Sequence, residues 1–142
     1  MRQSGFTLLE VLIAILVLSI GLLGLAGLMV SSIRNSHSAY HRTQATWLAY
    51  DMIDRLRVDR ANAISASVPY NIPLTTAVSG STGLAGTDVT NWKTTLANAL
   101  PAGDGSVLVV PASRAVTVIV QWNDTRGTLG ISNQQLRVDT QL

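Results

Sequence analysis

The chain has no cysteine, which excludes disulfides and thiolate metal sites without naming a compartment. Aromatic residues make up 5% of its 142 residues and charged residues 13%, and there are two histidines. Ten basic and eight acidic side chains leave a net charge of +2, scattered along the chain, so neither nucleic acid nor a strongly acidic partner is implied. No internal repeat, no Ser/His/Asp constellation and no glycine-rich phosphate loop after a strand is found. The sequence therefore offers no catalytic residues, no cofactor and no enzyme activity.

What it does have is an apolar run, residues 6–30, whose one formal charge is Glu10. As a helix its 25 residues would span roughly 37 Å, enough to cross a bilayer core of about 30 Å with some tilt. A secretory signal peptide has a basic region, a shorter apolar core and a small-x-small cleavage site, which Gly24-Leu25-Ala26 could supply. Here the basic region is Arg2 alone and an acid interrupts the run. A lipoprotein signal is excluded by the missing cysteine. A membrane anchor remains, and in it a carboxylate costs about 2.5 to 3.5 kcal/mol at the centre and less near the interface. Glu10 either snorkels to the interface or pairs with a cation, and its own segment has none to offer.

Positive charge near the two ends of the span, Arg2 on one side against Arg34 and Arg42 on the other, does not decide orientation. Gly21, Gly24 and Gly27 repeat at spacing three, which lets helices approach closely in lipid and loosens the helix by roughly 1 kcal/mol per glycine relative to alanine. Beyond Ser31 no helix breaker occurs before residues 65–69, so one helix of about 80 Å is expected to run to about residue 62. In its second half Ala45, Leu48, Ala49, Met52, Ile53 and Leu56 mark an apolar stripe. Trp47 and Tyr50 are expected to extend that packing face or to sit at an interface. His37 and His41, at i and i+4, could meet a metal on one face, but the Glu of H-E-x-x-H is absent and no third ligand is evident. A solvated, membrane-proximal face is the expectation, with no metal.

Residues 63–87 contain Pro69, Pro73, Gly80, Gly83 and Gly86 and form a loop with one extended piece at 70–74, a candidate variable or mobile surface. Asp88 is the expected N-cap of a second helix with the stripe Val89, Trp92, Leu96 and Leu100, ended by Pro101. Strands are expected at 106–110, 115–122 and 134–139, with Val116, Val118, Val120 and Trp122 alternating against polar neighbours. The resulting fold class is α+β. A long N-terminal helix, membrane-spanning in one half and amphipathic in the other, packs on a small antiparallel sheet as the handle of a ladle.

Gly5-Phe6-Thr7-Leu8-Leu9-Glu10 resembles the class III signal of type IV pilins and type II secretion pseudopilins. The resemblance implies that prepilin peptidase removes residues 1–5 as a leader by cleaving after Gly5, that the new terminal Phe6 is N-methylated, and that residues 6–30 stay as the transmembrane and filament-core helix. It implies that Glu10 pairs with the terminal amine of a neighbouring subunit during assembly. Residues 31–62 would then be the amphipathic half and 63–142 a periplasmic head, with the leader cytoplasmic. The run from Leu16 to Leu28, the Trp92, Leu96, Leu100-Pro101 helix and the Val118-Ile119-Val120-Gln121-Trp122 strand with Asp124 after it are similar to the PilV subclass of minor pilins. That implies a minor pilin priming pilus assembly in a tip complex, with other minor pilins, the major pilin, the inner-membrane assembly machinery and the membrane as partners. Its place would be the inner membrane first and the pilus on the cell surface later. No cysteine pair closes a C-terminal loop, unlike a typical major subunit. A minor pseudopilin of a type II secretion system and a membrane-anchored adhesive module using loop 63–87 are the alternatives.

Overall fold

The computed structural model describes residues 5, 7–77, 83–127 and 130–142. Phe6, residues 1–4 and Gly80 lie outside that set. One unbroken helix, α1, covers Leu8–Val58, 51 residues or about 77 Å. A turn at Asp59 leads into the short α2, Arg60–Ala63; α3 covers Gly83–Ala99. Strands β1 (Asp104–Val110), β2 (Ala115–Asp124) and β3 (Ile131–Gln141) form an antiparallel sheet in the order β1-β2-β3. The arrangement is α+β and pilin-like, a long apolar helix packed on a three-stranded sheet.

The core lies where the second half of α1 meets the sheet. Ala45, Ala49, Met52, Ile53 and Leu56 recur every three or four residues and are all fully buried. The two alanines let the helix approach closely, and the longer side chains fill the space beside them. β2 alternates strictly, sending Val116, Val118, Val120 and Trp122 inward. In register, Val107 stands opposite Val118 and Val109 opposite Val116. Each such side chain withdrawn from water contributes roughly 1.5 to 3 kcal/mol. From α3, Val89, Trp92 and Leu96 close the remaining side, and the Trp92 indole N–H donates to the Leu48 carbonyl at 2.8 Å.

Several expectations are corrected. Trp47 and Tyr50 do not join the core: they are 64% and 51% exposed, because they lie on the opposite side of α1 from the buried stripe. Asp88 is no N-cap; α3 begins at Gly83, and Asp88 instead receives Arg55 at 2.9 Å and the Tyr70 hydroxyl at 3.2 Å. All three strands exist, but β1 starts at Asp104, β2 reaches Asp124 and β3 spans Ile131–Gln141, because ladder pairing extends past the apolar residues. Within loop 63–87 the described residues up to Thr76 are tied down. Tyr70 is fully buried, Ile72 exchanges two backbone hydrogen bonds with Val107, and Asn71 brackets Val109 through its amide. Lys93 holds the next bend, donating to the Pro73 and Thr76 carbonyls and pairing with Asp104 at 2.9 Å.

Candidate functional site

The site is the first half of α1. Thr7 has extended backbone angles and caps the helix: its side-chain oxygen accepts from the Glu10 N–H at 3.3 Å and its carbonyl from Glu10 and Val11. Glu10 therefore stands in the first turn, where the exposed N–H groups give the helix a partial positive pole that favours a carboxylate. Among the described residues no cation pairs with it. The cap was missed in the sequence reading, although Thr-x-x-Glu ahead of an apolar run is its signal.

Behind Glu10 the apolar side chains face outward all round the helix. Leu8 is 91% exposed, and the most apolar 18-residue stretch has mean hydropathy 2.8 with none of it buried. So large an apolar surface does not stay in water, and a bilayer or a bundle of like helices must cover it. By length and composition this helix can cross a membrane. α1 runs unbroken through Gly21, Gly24 and Gly27, where an added Cβ would meet nothing within 4 Å. These glycines leave open ground against which another helix can lie. Gly5 is exposed and precedes the cap.

The second half of α1 carries both histidines of the chain. His37 is exposed and His41 half-buried, with an Nδ1 that is buried and unpartnered, which corrects the expectation that both histidines are solvated. Among the described residues no three His, Asp or Glu side chains gather as metal ligands. Arg55 joins Asp51 on its own helix to Asp88 on α3, and the Tyr70 hydroxyl donates to Asp59 and Asp88. Burial raises the Tyr70 phenol well above its ordinary value, and the two carboxylates it bonds add to the effect. This network locks the loop to two helices.

A family model described as the prokaryotic N-terminal methylation motif matches residues 1–26. No curated protein and no solved structure matches the chain. The motif, the cap at Thr7, the acid at Glu10 and the exposed apolar helix support the type IV pilin and pseudopilin family and a substrate of prepilin peptidase. They fit a precursor anchored in the inner membrane.

Proposed function

We propose that the chain is a PilV-like minor pilin of a type IV pilus, which after processing joins other minor pilins in priming assembly at the tip. The observation that carries this reading is a single helix with two fates: its second half buries one face in its own head, and its first half is exposed on every side, with an acid near its start that no described residue pairs. Such a helix needs a bilayer or other apolar helices to cover its first half.

In this reading the precursor sits in the inner membrane with its head in the periplasm and loses residues 1–5. Phe6, then methylated, and Glu10 meet neighbouring anchors as the helix leaves lipid for the filament core, where its surface stays apolar and buried. Glu10 sets register, because a misaligned subunit leaves a carboxylate unpaired in an apolar medium. The glycines provide close approach and compliance. No catalytic role belongs to this reading.

Glu10→Ala should leave membrane insertion intact and reduce the amount of the protein recovered with sheared pili. Normal incorporation of the variant contradicts the assembly role. A minor pseudopilin would share the anchor and the processing. Restoring pili in a strain lacking the protein supports the pilus reading, and restoring secretion alone supports the other.

A further inference from the structure

The sheet has two edges, and the fold treats them differently. The β1 edge is covered: Ile72 exchanges backbone hydrogen bonds with Val107 at 3.0 and 2.9 Å, and the Asn71 amide both donates to the Val109 carbonyl and accepts its N–H. The β3 edge is bare. Bonds along an antiparallel ladder alternate, one residue turning its N–H and C=O to one side and the next to the other. The Leu142 N–H donates to the Arg114 carbonyl, one step beyond the Ala115–Gln141 pair, so the even-numbered residues of β3 face β2. Gln135, Arg137, Asp139 and Gln141 therefore turn theirs outward, where no described backbone group meets them.

The usual protections of a bare edge are missing. β3 contains no proline and no lysine, and the irregular register lies at its start, opposite Asp124, which leaves residues 134–141 regular. Its two charges, Arg137 and Asp139, pair with each other at 2.8 Å instead of presenting one sign to an incoming strand. On the core side Leu136 and Val138 are half-buried at the rim of the core. An added strand would continue the ladder and cover both. A second copy joined through the same strand does not suit an anchored chain. Two β3 edges pair antiparallel about an axis normal to the sheet, and that rotation reverses α1, which packs on the sheet face, so the two anchors would point opposite ways.

We infer that β3 is a docking edge for an extended segment of a different protein, laid antiparallel to β3 with apolar side chains at alternate positions beside Leu136 and Val138. Main-chain bonds to residues 135, 137, 139 and 141 supply the attachment, and the alternate side chains supply the selectivity. The exclusion of a second copy rests on the anchored reading of α1; the open edge itself does not. The site gives the head a contact separate from assembly through Phe6 and Glu10.

The probe is a synthetic peptide with the sequence of residues 115–124, which in the fold already lies antiparallel to β3 with its valines on the core side. Set against the other edge in the same sense, it offers β3 the N–H groups of its Thr117, Ile119 and Gln121. Residue-resolved amide exchange of the full chain in detergent micelles should slow at least about tenfold at Gln135, Arg137, Asp139 and Gln141 when the peptide is added, with the even-numbered neighbours little changed. N-methylation of the peptide at Ile119 should abolish that slowing, and N-methylation at Val118, whose N–H points away from β3, should not. No slowing, or slowing that ignores the position of the methyl group, overturns the inference. Slowing at the same four residues in the chain alone as its concentration rises would assign the edge to a second copy and overturn the partner assignment. None of these readings depends on leader removal or pilus assembly, so the pilin reading can fail separately.

Discussion

The Ser38 hydroxyl donates to the buried Asp124 carboxylate at 2.7 Å, joining residues 86 apart. Ser38 lies on α1 about two turns past the apolar run, and Asp124 ends β2, so this bond fixes the head's lower edge to the emerging helix. Gly127 sits against the same carboxylate: a Cβ there would collide with both of its oxygens. Ser38→Ala removes a donor from a buried acid and should cost about 1 to 3 kcal/mol in denaturant unfolding of the detergent-solubilised protein. An unchanged midpoint would show that the bond carries no stability.

Gly105 lies in β1 directly under the Trp92 ring, close enough that a Cβ would strike the ring and the Leu96 side chain. Gly105→Ala should therefore destabilise the head by about 1 to 3 kcal/mol by overpacking, although alanine suits a strand better than glycine does. Thermal unfolding measures it, and a stabilised variant would contradict the packing described.

Asp104 titrates below its ordinary value of 3.8: burial opposes its ionisation, but the Thr75 N–H and the Lys93 ammonium outweigh that. A carboxyl depressed in the folded state contributes stability above its unfolded value and loses it as pH falls through the folded one. The stability difference between wild type and Asp104→Asn should be constant near neutrality and should shrink below pH 3.8. A difference that grows with acidity has the wrong sign for this account.

Tyr40 and Trp47 stand one heptad apart on the exposed side of α1, at 56% and 64% exposure. Trp47→Ser should leave unfolding within about 0.5 kcal/mol of wild type, as for other surface substitutions. A large loss of stability would place the indole in the core after all.

Local patterns made much of this fold legible. The buried stripe on α1 follows from 3.6-residue periodicity and β2 from strict alternation, and both stand where those periods put them. Of the two places open to Trp47, the packing face is excluded by position, since two residues beyond Ala45 it lies about 200° around the helix. The burial of Tyr70 was not legible, because it depends on Asp59 and Asp88 converging on one hydroxyl through tertiary packing. The same holds for the role of Asp88, whose partners Arg55 and Tyr70 lie 33 and 18 residues away. At the site, Glu10 was legible as a charge out of place, whereas the cap at Thr7 was overlooked beside it.

The central claim is that residues 1–5 are removed and the chain then assembles through Phe6 and Glu10. Intact mass and N-terminal sequencing of the membrane-extracted protein, from cells with and without prepilin peptidase, test it most directly. The account predicts a form beginning at methylated Phe6 only when the peptidase is present. A chain that begins at Met1, or after Ala26, regardless of the peptidase would contradict it.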